Sequence, residues 1–143
     1  MSAASVVDSD VGALPGDTRR LGPGEWGLTL PAEQDGGWPP AVGLRIADEL
    51  LRVQAFALPA SDAVNPWNFL HWNRGTRIVR FSCTRAGDIW VQADLPVSAV
   101  NDQMVDRLLG LVVEGAVMAR QAMAARAEPA EGGGSGEGWG ALR

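Results

Sequence analysis

The chain has no lysine and no tyrosine, and only one histidine and one cysteine. With Cys83 alone no intramolecular disulfide can form, which fits a reducing compartment. With His71 beside it there is still no zinc site of the usual kind, which wants three or four nitrogen and sulfur ligands. A Cys–His nucleophile pair would have to use both residues and find a third group to orient them. Cys83 instead falls on the apolar face of a predicted strand, where a buried thiol behaves as a small hydrophobe. No apolar run approaches the ~18 residues of a membrane span, and the start MSAASVVDSD has neither the basic nor the apolar part of a leader. A cytoplasmic protein without membrane association is expected.

The carboxylates are dispersed along Asp48-Glu49, Asp88, Asp94, Asp102, Asp106 and Glu114. The glycines from Gly132 to Gly138 lack the preceding strand and following helix of a phosphate loop. No catalytic residue, no metal site and no cofactor is therefore expected, and the chain does not read as an enzyme. All 12 basic residues are arginine, against a net charge of −5. That balance disfavours nucleic acid, which needs a basic footprint, but leaves arginine free for bidentate contacts to a protein partner's carboxylates. Six tryptophans (Trp26, Trp38, Trp67, Trp72, Trp90 and Trp139) are more than one modest core can bury, and tryptophan concentrates at interface hot spots.

Residues 1–24 carry scattered Gly, Pro, Asp and Ser without a period, and are expected to be a flexible amino-terminal segment. Trp26 to Leu30 suits a short strand, Gln34-Asp35-Gly36-Gly37 a turn, and Pro39-Pro40 an extended link. Ala41 to Leu58 alternates, with Val42, Leu44 and Ile46 on one side and Leu51, Val53, Ala55 and Ala57 after an Asp48-Glu49 turn. That period of two predicts a β-hairpin, with a helix over Ile46–Ala55 as the rival. Asn65-Pro66 opens a short helix and Gly75 offers a left-handed residue after it. Arg77 to Leu95 predicts a second hairpin around Arg85–Asp88. Its apolar face carries Val79, Phe81, Cys83, Ile89, Val91, Ala93 and Leu95. Arg80, Ser82, Trp90, Gln92 and Asp94 take the opposite face.

Asn101 caps a long helix striped by Val105, Leu108, Leu109, Val112, Ala116, Ala119 and Met123. Gly110 and Gly115 interrupt it, which close approach to the sheet or to a second copy of the helix would explain. The sum is an α+β fold: an antiparallel sheet of two hairpins, a short helix between them and a long carboxy-terminal helix on one face. A single domain over residues 25–126 is followed by a disordered Gly-rich tail at 127–143.

The pattern of a helix ending Trp72-Asn73-Arg74, a strand through Arg80-Phe81-Ser82, a Gly87 turn, a strand Val91-Gln92-Ala93-Asp94-Leu95-Pro96 and a long helix resembles the YbjN-like family. That family is similar in fold to class I type III secretion chaperones, and the likeness extends over about Ala41 to Ala125. The chain shows no clear amino-terminal helix ahead of its first strands, a departure from the chaperone pattern. The resemblance implies a non-enzymatic, commonly dimeric domain that binds polypeptides and is linked with stress or regulation.

Three sets of residues follow as candidates. Arg80, Trp90 and Gln92 would form a polypeptide-binding face, with an Arg80–Trp90 cation–π pair. Leu111, Gly115 and Met118 would form a homodimer interface along the long helix, with a sheet edge as the other route to a dimer. Trp67, Trp72 and Met118 would line a pocket between sheet and helix if the chain instead senses a small molecule.

Overall fold

The two alternating stretches in the middle of the chain fold as antiparallel hairpins, and everything else is arranged on the sheet they make. The computed structural model describes residues 2–31 and 41–127. The expected turn at Gln34–Gly37, the Pro39-Pro40 link, Trp38, and the tail with Trp139 lie outside the described residues.

Strands β3 (Ala41–Ala47) and β4 (Leu50–Leu58) pair as one hairpin. Both residues of its two-residue turn, Asp48 (φ 54) and Glu49 (φ 61), take the left-handed conformation that matches strand twist in tight hairpins. The alternation therefore prevails over the helix propensity of the Glu-Leu-Leu-Arg stretch. Strands β5 (Arg80–Cys83) and β6 (Ile89–Pro96) form the second hairpin around Gly87 (φ 100). The first strand starts later than the apolar pattern suggests, because Ile78 takes φ 72, an outlying conformation for a β-branched residue. Between the hairpins lies helix α2 (Pro66–Trp72), capped where Asn65 Oδ1 accepts from the Trp67 backbone N–H at 3.1 Å. The left-handed residue beyond it is Ile78 and not Gly75.

The amino-terminal segment differs from expectation. Ala3–Gly12 is a helix, α1, and Asp17–Gly22 is a strand, β1, hairpinned to β2 (Glu25–Thr29). The sheet thus has six antiparallel strands in the order β1-β2-β3-β4-β6-β5, from three hairpins and not two. Weak local signals hide these elements. The helix is rich in Ser, Val, Asp and Gly, all modest helix formers, and the exposed edge strand has no apolar alternation. Tertiary contacts hold them. Val7 and Val11 are fully buried, Trp26 Nε1 donates to Asp8 Oδ1 at 2.6 Å, and Thr18 Oγ1 donates to the Val11 carbonyl at 3.3 Å. The helix absent from the sequence pattern is present in the fold.

Helix α3 (Asp102–Ala127) runs across β4 and β6. Of the predicted stripe, Val105, Leu108, Leu109, Val112, Ala116 and Ala119 are buried and Met123 is half-buried, with Ala122 adding to it. Arg120 ties its far end to β4, donating from Nε to the Ala57 carbonyl at 3.0 Å and from Nη2 to that of Phe56 at 2.9 Å. By length and mean hydropathy this helix could cross a bilayer, but its apolar stripe is spent on the sheet. Cys83 is exposed and not buried; it shares the pleat side of Phe81 but ends a short edge strand.

The two glycines of α3 separate cleanly. A Cβ on Gly115 would lie 3.0 Å from Val91 Cγ1, so this glycine serves the approach of helix to sheet. Around Gly110 no atom of the other described residues lies within 4 Å of the same atom, the helix's own backbone aside. Replacing Gly110 by alanine should therefore stabilise the fold by about 1 kcal/mol. Gly115→Ala should fail to show that gain, because the buried Val91 would have to yield. Urea unfolding of the two variants measures the difference.

Candidate functional site

With helices on one side, the sheet presents its other face outward, and the register brings chemically distinct rows together there. One row crosses five strands. Glu25 is opposite Arg45, Arg45 opposite Arg52, and Arg52 opposite Asp94. Arg80 reaches the same carboxylate from β5. Arg52 grips Asp94 in a fork, Nε to Oδ1 at 2.7 Å and Nη2 to Oδ2 at 3.0 Å, while Arg80 Nη2 donates to Oδ2 at 2.6 Å. The bond from Arg52, and after it that from Arg80, holds the Asp94 carboxyl below the usual carboxylate range. The facing arginines Arg45 and Arg52 are tolerated because each has its own acid, Glu25 lying 3.4 Å from Arg45 Nε.

Beside the charged row, Ser82 Oγ donates to Gln92 Oε1 at 3.0 Å. Next to it the Phe56 and Trp90 rings meet edge to face, with centroids 5.5 Å apart. The structure therefore brings Arg80, Trp90 and Gln92 onto one face, as their alternation predicts. It replaces the expected Arg80–Trp90 pair, however, since Arg80 is drawn to Asp94 and Trp90 to Phe56. Arg52 and Phe56 belong to this surface and escaped sequence reasoning. They occupy the polar positions of β4, but only the β4–β6 pairing shows that they face Asp94 and Trp90.

The edge beside this face is partly closed. Asn73, just past α2, donates from Nδ2 to the Phe81 carbonyl at 3.0 Å and accepts the Phe81 N–H at 2.8 Å. One side chain thus takes up both main-chain groups of that residue, which blunts β5 as a template for another strand. On α2 itself Trp67 is 75% and Leu70 57% exposed, one turn apart.

The other two residue sets are not assembled as expected. Trp67 faces solvent, whereas Trp72 is buried in an aromatic cluster with Phe69 and Phe81, at centroid distances of 5.1 and 5.9 Å. Met118 lines a different feature, an open groove of about 570 Å³ along α3. Those three side chains form no common pocket. Gly115 is buried against Val91 and cannot contribute to a dimer interface, while Leu111 and Met118 are half-buried on α3.

At the junction of α1 with α3 three carboxylates converge. Asp10 Oδ2 is buried with no N–H or hydroxyl donor at it among the described residues, and the group facing it is a second carboxyl, Asp106, with which it can share a hydrogen bond only when one of the two is protonated. Burial, then Asp106, then Asp102 push the Asp10 carboxyl from 3.8 up to about 7. No group of three or more His, Cys, Asp or Glu suited to a metal occurs among the described residues.

A family model named YbjN, "Putative bacterial sensory transduction regulator", matches residues 36–125, more than half of the chain. The chain belongs to the YbjN family. Its fold is shared with YbjN of E. coli at a TM-score of 0.60 and 14% identity, over 85% of this chain and 91% of that one. The chaperone–effector complex HopA1–SchA gives a TM-score of 0.63 at 13% identity, over 82% and 91% of the two chains. The Yersinia pestis type III secretion chaperone SycH, solved with a fragment of YscM2, gives 0.58 at 15%, over 81% and 98%. No curated protein matches this YbjN-family chain.

The Asp10 cluster sets a pH dependence. A carboxyl whose folded pKa is raised holds a proton that the unfolded chain releases, so its contribution to stability falls as pH rises from about 4 towards about 7. Asp10→Asn should flatten the melting-temperature profile over that window and raise the melting temperature at pH 8. A parallel profile for the variant and the wild type would show that the seam does not titrate there.

Proposed function

We propose that this YbjN-family protein is a soluble, cytoplasmic, non-enzymatic adaptor of chaperone-like character that binds another polypeptide on the open face of its sheet. The observation that carries this is the joining of an Arg52–Asp94–Arg80 cluster to the Phe56–Trp90 pair on a face that no helix among the described residues covers. Arginine forks offer directional bonds to carboxylates and main-chain carbonyls, and tryptophan supplies contact area at small entropic cost. The shared fold with proteins solved in complex with an effector or another polypeptide supports the same reading, and the family description, a sensory transduction regulator, supports a regulatory setting.

The adaptor acts as a homodimer. Trp67 and Leu70 are large apolar side chains held out to solvent on one face of α2, and a second copy of that helix would remove both from water. With Gly115 turned to the sheet and Phe81 occupied by Asn73, this face takes the place of the expected contacts along α3 and at the β5 edge.

Two experiments test the proposal. Copurifying polypeptides identified with the wild-type chain should be lost from an Arg80→Ala/Trp90→Ala variant that still unfolds cooperatively, since the exposed ion pair contributes only about 0–1 kcal/mol and the Phe56–Trp90 ring contact about 0.5–1.5 kcal/mol. Their retention would move the binding face elsewhere. Light scattering behind size exclusion should give twice 15.1 kDa for the wild type and 15.1 kDa for Trp67→Glu/Leu70→Glu. A wild type that is monomeric throughout would remove the dimer from the proposal.

A further inference from the structure

On the outer side of α3, away from the open sheet face, the described residues leave an apolar groove open. The groove around Gly110 is floored by Leu14, Leu28 and Leu30 on one side and by Val113, Val117 and Met118 along the helix. Its rim carries Asp106 and Glu114, both exposed and neither in an ion pair among the described residues. Gly110 lies in the middle. A glycine at an exposed, mid-helix position costs about 1 kcal/mol against alanine, and among the described residues no neighbouring atom needs the space it leaves.

We propose that this groove is a docking site for a polypeptide segment that carries apolar side chains flanked by arginine or lysine. The assignment rests on the polypeptide-binding reading and gives such a partner its chemistry. Apolar side chains fit the leucine and valine floor, and the open space at Gly110 admits a large one close to the helix backbone. Asp106 and Glu114 are two helical turns apart, which sets cationic side chains at either end of the inserted apolar group. An acidic or neutral segment would leave both carboxylates uncompensated at a surface from which it displaces water.

The test uses the full chain and two fluorescent synthetic peptides of equal length and helix propensity. One has leucine on one face flanked by arginine; the other has glutamate in place of every arginine. Fluorescence anisotropy should show binding of the arginine peptide alone, weakened by added salt. Gly110→Leu, which fills the groove, should weaken it roughly tenfold, the scale of one hot-spot contact. Asp106→Asn/Glu114→Gln should weaken it several-fold, with Gly110→Leu still folded by circular dichroism.

Equal binding of the two peptides, an unaffected Gly110→Leu variant, or no binding by the wild type each overturns the proposal. Should Gly110→Leu bind normally while Arg80→Ala/Trp90→Ala does not, the groove assignment falls and the polypeptide-binding reading stands. Should Gly110→Leu instead convert a dimer to a monomer, the occupant is a second copy of this chain, and the basic-partner assignment is again wrong.

Discussion

The approach of α3 to the sheet at Gly115 and Val91 is the contact on which the remaining architecture depends. A helix can lie this low over a sheet only where one residue has no side chain, and here a Cβ would come within 3.0 Å of a valine methyl. At that separation the valine, leucine and alanine stripe of α3 is buried over β4 and β6. Each fully buried valine or leucine contributes about 1.5–3 kcal/mol by leaving water. Arg120 then fastens the far end by two main-chain carbonyls. Helix α1 finds its place beside α3, and β1 and β2 follow it through Trp26 and Thr18. A helix standing further out would leave α1 nothing to pack on.

That one-sided packing creates the surfaces from which function is read. Covering the sheet on one side turns every second side chain of β2 to β6 outward. The register then turns scattered acids and arginines into a row in which Arg52 and Arg80 share Asp94. The same principle shapes the edge, where Asn73 satisfies Phe81 and makes β5 a poor strand template. Cys83 is at an exposed strand end.

Much of this was legible from spacing. The two central hairpins, the Asn65 cap and the buried stripe of α3 all depend on neighbours close in sequence: a period of two, a period near 3.6, and a side chain within reach of its own backbone. The outward position of Arg80, Trp90 and Gln92 follows from the same alternation. Features that join distant segments were not legible. Helix α1 lacks a local signal beyond Ser2 at its cap, and β1 is polar throughout; both exist because Val7, Val11 and Trp26 find partners elsewhere in the chain.

The sequence by itself determined which segments alternate, which helix is striped, which side of each strand is polar, and that thiol and imidazole are too few for a metal site of the usual kind. Only the tertiary structure decided who meets whom. It gave Arg80 to Asp94 and not to Trp90, turned Gly115 inward and left Gly110 open, and separated Trp67 from Trp72 and Met118. The physical reason is that local order is set by backbone geometry over a few residues. Charge pairing, cavity shape and exposure depend on strand register and on the height of a helix above a sheet, and these are settled only when the whole core closes.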